Sequence, residues 1–115
     1  MINITPYKEI KGGKESIYDH VRAENTVPGR VLLYLQNGMP HAMSPGTYSH
    51  PFKEGKKLAG PYLYTDGDYI WDRDTREYVE KYGLILSEEF IKHVMSPRGR
   101  EYLKNRLRER ISAHV

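Results

Sequence analysis

The chain has 115 residues, of which 38% are apolar and 29% charged, with a net charge of +3 and no Cys. That length suits one domain with a modest core, and the missing Cys excludes disulfides, thiolate nucleophiles and thiolate metal sites. No run approaches the roughly 18 apolar residues of a membrane span, and the opening MINITPYKEIKGGK has no apolar signal core, so a soluble cytoplasmic protein is the expectation.

Ile2 and Ile4 alternate before Pro6 and the Gly12-Gly13 break, which fits an edge strand or a loosely docked arm. From Lys14 to Glu24, the spacing of Ile17, Tyr18 and Val21 predicts a helix, with a strand over Ile17–Val21 as the alternative. In TVPGRVLLYLQNG, Pro28 suits a first helical turn, Val31, Leu32 and Leu35 share a face, and Gly38 is placed to close the helix in the left-handed conformation. Met39–Met43 is short, and Pro40 keeps it from a fully paired central position. Residues 47–61, with Lys53, Lys56 and Lys57 around Gly55, read as a mobile hairpin or loop.

Leu58–Tyr64 and Tyr69–Trp71 are predicted strands joined across Thr65-Asp66-Gly67-Asp68, since Asp-Gly is the strongest short hairpin signal. Asp72 is the expected cap of the next helix, whose buried stripe is Tyr78, Val79 and Tyr82 and whose stop is Gly83. Leu84-Ile85-Leu86 docks into the core. Ser87 caps a helix that turns Phe90, Ile91 and Val94 inward, and Ser96-Pro97 starts another, running to about Ser112 with Leu103, Leu107 and Ile111 along one face. The expected fold is a single α+β domain over residues 1–115. Its core spans about 28–95, with a small antiparallel sheet packed by four to five helices and a basic C-terminal helix over 97–112.

Residues 97–115 hold six basic and two acidic groups, a balance of +4, whereas the first 96 residues hold 12 and 13, a balance of −1. The helix carrying Arg98, Arg100, Lys104, Arg106, Arg108 and Arg110 therefore has three readings. It can contact nucleic acid through phosphates, lie on an anionic membrane (though without Trp or Phe on its apolar side), or be a terminal helix with solvated cations, which is the plainest of the three.

Asp66, Asp68, Asp72 and Asp74 form D-x-D-x-x-x-D-x-D, a density of carboxylates that suits a hard cation. The spacing lacks the Gly and Glu of an EF-hand loop, and turn and cap roles account for each Asp locally, so no metal is expected. Of the five His, His93 is paired with Glu89 one turn earlier, while His41 and His50 flank the loop region and could form an acid–base pair as in metal-free ribonucleases. No nucleophile elbow or phosphate-binding loop is present. Ten Tyr exceed the needs of so small a core, and Tyr62, Tyr64 and Tyr69 lie on adjacent hairpin strands, the composition of a protein-binding face.

The run T-D-G-D-Y-I-W-D-R-D-x-x-E-Y-V-E-K-Y-G-L-x-L-S-E-E-F-I-K-H, Thr65 to His93, resembles small bacterial proteins. These pair a helix ending in YL-x-x-G (here Tyr34 to Gly38) with an S-P-G segment (Ser44-Pro45-Gly46), then TDG, Trp71, YVEKY and the Leu86–His93 stretch. The likeness covers about Pro28 to His93. Many such proteins are immunity proteins, which neutralise a cognate toxin by binding it, and the resemblance implies no catalytic residue and no cofactor.

The leading expectation is a non-enzymatic protein-binding module using Tyr62, Tyr64, Asp66, Asp68, Tyr69, Asp72 and Asp74 against a bacterial toxin. The alternative is a nucleic-acid-binding or RNA-cleaving protein using the C-terminal cations.

Overall fold

The computed structural model describes residues 1–10, 13–23 and 26–113, and the side chains of all of these but Ala113. Gly12, Glu24 and His114, each part of an expectation above, fall outside them. Strands β1 (Ile2–Asn3), β2 (Met39–Met43), β5 (Tyr62–Thr65) and β6 (Tyr69–Asp72) form one sheet in the order β1-β6-β5-β2, and β3 (Thr47–Ser49) pairs with β4 (Lys57–Ala59) as a separate hairpin. Four helices cover it: α1 (Gly29–Gln36), α2 (Thr75–Tyr82), α3 (Glu88–Met95) and α4 (Pro97–Ala113). The fold is α+β as expected, but the sheet is mixed, because β1 adds to β6 in parallel.

The expected strand Leu58–Tyr64 is two strands. The chain changes partners at Gly60-Pro61, where Gly60 has φ +104 and Pro61 offers no donor, so Leu58 serves the β3–β4 hairpin and Tyr62 serves the main sheet. Of the two forms expected of residues 47–61, hairpin or loop, the structure shows the hairpin, and it is docked: Tyr48 and His50 are buried on the body.

The expected helix over Lys14–Glu24 is only a 3₁₀ turn, Ile17–His20. The Glu9 carboxylate accepts from Ile17 N (2.6 Å) and Ser16 Oγ (2.8 Å) and holds the turn, while Val21 bridges Leu84.

Local punctuation elsewhere acts as expected. Gly83 takes the left-handed conformation (φ +72) at the end of α2, Ser87 Oγ accepts from Phe90 N, and Ser96 Oγ accepts from Gly99 N as α4 begins. Gly38 does something different. Asn37 ends α1, and Gly38 is required because a Cβ there would stand 2.6 Å from Tyr64 Cβ and 2.7 Å from the Trp71 ring.

Trp71, Tyr34, Tyr78, Phe90, Leu35 and Val94 are fully buried at the centre. The indole donates to Leu35 O at 2.9 Å, and Tyr34, Trp71 and Phe90 lie within 6.0 Å of one another, centroid to centroid. This core corrects the reading of the Tyr count: Tyr7, Tyr34, Tyr48 and Tyr78 are buried, five more are half-buried, and Tyr18 alone is exposed. Tyrosine works here as a core residue, and the hydroxyls of Tyr34 and Tyr48 reach carboxylate acceptors at the core's edge.

Candidate functional site

The β5–β6 turn, α3 and α4 meet at a polar cluster that the sequence did not assemble. Asp66 Oδ1 accepts from the amides of Asp68 and Tyr69, both at 2.8 Å, and its Oδ2 accepts from the Tyr34 hydroxyl and from His93 Nε2 at 2.9 Å. Burial alone would raise this carboxyl. The Tyr34 hydroxyl, the two amides and His93 instead hold it below the ordinary range, while the Tyr34 hydroxyl is pushed up by burial and by the Asp66 charge. Asp68 receives Arg98 at 2.7 Å. His93 is therefore partnered by Asp66, with Asp68 at 3.6 Å, and not by Glu89, because the aromatic rings of Tyr34 and Tyr69 turn its imidazole toward the hairpin.

Asp66, Asp68 and His93 could offer three ligand atoms within 4.8 Å of one another. A carboxylate has about four acceptor positions, and the four donors on Asp66 fill them, so a cation would have to displace protein groups. The arrangement is a clasp.

Asp72 and Asp74 stand apart from that cluster. Asp72 does not cap α2: it ends β6, fully buried, and its Oδ2 accepts from the Tyr48 hydroxyl at 3.2 Å. Asp74 occupies the cap position with no side-chain bond. Burial, followed by the Asp74 charge, pushes the Asp72 carboxyl up to about 7, and its Oδ1 and the buried Tyr78 hydroxyl have no hydrogen-bond partner among the described residues.

Beside them, His50 Nε2 meets Glu77 Oε1 at 2.7 Å and its Nδ1 accepts from Phe52 N at 3.0 Å, which fixes the tautomer with the proton on Nε2. His41 stands exposed on β2 and no hydrogen bond joins it to His50, whose side chain is only 2% exposed. The structure does not bring the two together as an acid–base pair.

The basic helix divides in two. Arg106 Nε donates to Asn37 O at 3.1 Å and Arg110 Nη1 to Asn37 Oδ1 at 2.6 Å, placing cations at the C-terminus of α1 where the helix dipole favours them. Tyr102 donates to Thr65 O at 3.0 Å. Arg98 is bound to Asp68. Arg100, Lys104 and Arg108 are exposed and form no ion pair among the described residues. The expected apolar stripe holds only partway, since Leu103 is buried, Leu107 half-buried and Ile111 66% exposed.

Tyr62 and Tyr64 lie on one face of β5, and β2 beside them ends the sheet. All five residues of β2 are exposed, Met43 at 64%. Pro40, Met43, Tyr62, Leu63 and Tyr64 line an open groove of about 350 Å³. Tyr64 also lines a second depression, of about 430 Å³, with Arg73, Asp74, Arg76, Lys81 and Arg110. The Arg73 guanidinium lies 4.3 Å from the Tyr62 ring centre.

No family model, curated protein or solved structure matches the chain. The residues themselves thus carry the functional reading.

Of the seven partner-binding candidates, Tyr62, Tyr64 and Asp74 border the two depressions. Asp66, Asp68 and Tyr69 belong to the clasp with His93, and Asp72 is inside. The edge position of β2 follows from Pro40 as expected, but neither its residues nor Arg73 were among the site candidates. The signal was present in MPHAM, since a Pro within an apolar strand confines it to a sheet edge and leaves its Met side chains uncovered.

Among the described residues, no helix is long and apolar enough to cross a membrane.

Proposed function

We propose that this protein is a non-enzymatic protein-binding module that acts as an immunity protein, neutralising a bacterial toxin by binding it. The observation that carries the reading is a solvent-exposed edge strand, β2, beside a half-open tyrosine face. An edge with unpaired backbone groups is a template for an added strand, and Tyr and Met next to it supply contact area. The opposite edge, β1, is two residues long and offers little to pair with. Of the acid–base candidates His41 and His50, His50 is buried between Glu77 and the Phe52 amide with no bond to His41, which supports the same reading.

Co-expression with the product of an adjacent gene, followed by co-purification, tests the proposal. Wild type should retain that protein and Met43→Asp should lose it; a wild-type chain that retains none rejects the reading.

A second reading, nucleic-acid binding, is favoured by one observation: Arg100, Lys104 and Arg108 are exposed at four-residue spacing on α4 and form no ion pair among the described residues. Titration with single-stranded RNA at two salt concentrations decides it. Three phosphate contacts should give a log–log salt slope of about −2.

A further inference from the structure

The groove at β2–β5 and the depression at α2 adjoin at Tyr64, which lines both. Their chemistry differs. The groove is lined by Pro40, Met43, Leu63 and the two tyrosines and has His41 as its sole titratable side chain besides them.

In the depression the acidic groups are mostly committed. Glu77 faces His50 at 2.7 Å and Lys53 at 3.7 Å, and Glu80 faces Arg76 at 3.7 Å. The cations are less so. Arg110 is bound only by the neutral Asn37 amide oxygen, and Arg73 and Lys81 form no ion pair among the described residues. Asp74 is the single carboxylate left to offset these three. That leaves a positive site beside an apolar groove.

We infer that this surface takes an extended protein segment whose apolar side chains alternate along β2 and whose acidic end enters the Arg73–Lys81–Arg110 depression. The inference rests on the protein-binding reading above and specifies the partner's chemistry. Arg73 is held over the Tyr62 ring, so its guanidinium meets a carboxylate with little loss of side-chain freedom. Nucleic acid fits less well. A phosphate chain needs cations along its whole path, whereas here they occupy one end and are interleaved with Asp74, Glu77 and Glu80.

The test uses the full chain and two fluorescent peptides, each of alternating leucine and threonine, one headed by three glutamates and its twin by three lysines. The glutamate peptide should bind at least about tenfold tighter than its twin. Arg73→Glu should abolish or reverse that preference, and Met43→Asp should weaken both peptides alike, with melting curves confirming that each variant is folded. Three results overturn the inference: equal binding of the twins or no binding of either, a single-stranded oligonucleotide displacing the glutamate peptide at equal concentration, or self-association as the only property that the two variants change. If the adjacent-gene protein still co-purifies with Arg73→Glu at wild-type affinity, the acidic-segment inference fails while the protein-binding reading stands.

Discussion

His93 meets Asp66 at 2.9 Å and His50 meets Glu77 at 2.7 Å, yet the two carboxylates are held differently. Asp66, 1% exposed, is ringed by four donors and fastens the β5–β6 turn to α1 and α3. Glu77, 27% exposed, keeps contact with water and fastens the β3–β4 hairpin to α2. Behind that second pair lies Asp72, buried with one oxygen unbonded. A carboxylate at the core's edge stabilises when its acceptor positions are filled and destabilises, once charged, when they are not.

The sharpest way to break the comparison is Asp66→Ala, which strips an acceptor from a buried hydroxyl, two amides and a histidine at once. We expect a loss of about 3–5 kcal/mol in urea unfolding. A loss below about 1 kcal/mol would mean the clasp is incidental.

The pH dependence comes next. The Asp72 carboxyl is raised in the folded protein, so between its ordinary value and about 7 the folded state keeps a proton that the unfolded state has released. Its contribution is fully present on the acid side and is lost as pH rises through about 7. Asp66 and Glu77 are lowered, so theirs is present at neutral pH and is lost as pH falls below the ordinary carboxylate range. Unfolding free energy should therefore peak at roughly pH 4–5 and decline on both sides. Asp72→Asn should remove the neutral-side decline, a difference on the order of a few kcal/mol. Parallel wild-type and Asn profiles would contradict this.

Glu77→Gln should be milder. Its amide oxygen can still accept the His50 Nε2 proton, so we expect a change under about 1 kcal/mol at pH 7, read from the same denaturation curves. Smallest of all is the response to cations. Because protein donors already occupy Asp66, Ca²⁺, Mg²⁺, Zn²⁺ or a chelator should leave Tm unchanged to within about 1 °C, whereas a bound ion at 100 times its Kd would contribute about 2.7 kcal/mol.

What the sequence made legible was what neighbouring residues decide among themselves. Ser87, Gly83 and Ser96-Pro97 punctuate helices through bonds spanning three to five residues, and each acts where expected. The Asp66-Gly67 turn was readable for the same reason. Asp72 has the composition of a cap, but its partner Tyr48 arrives from 24 residues away, and burial on β6 takes precedence. His93 lay one helical turn from a plausible carboxylate and bonded instead to one 27 residues distant. The strand split at Gly60-Pro61 was written in two residues, but the partner of each half was not. Of the candidate site, the two tyrosines could be read from alternation. The depression into which Tyr64 leads is assembled from α1, α2 and α4 and has no local signature.

The last helix supplies the groups that finish the end of the first. Tyr102, Arg106 and Arg110 reach the Asn37 region across 65 to 73 residues of chain, and such distant partners slow the search for the native arrangement. During synthesis the Asn37 carbonyl must wait until Tyr102 and Arg106 have emerged, so the end of α1 is finished only after α4 has been made.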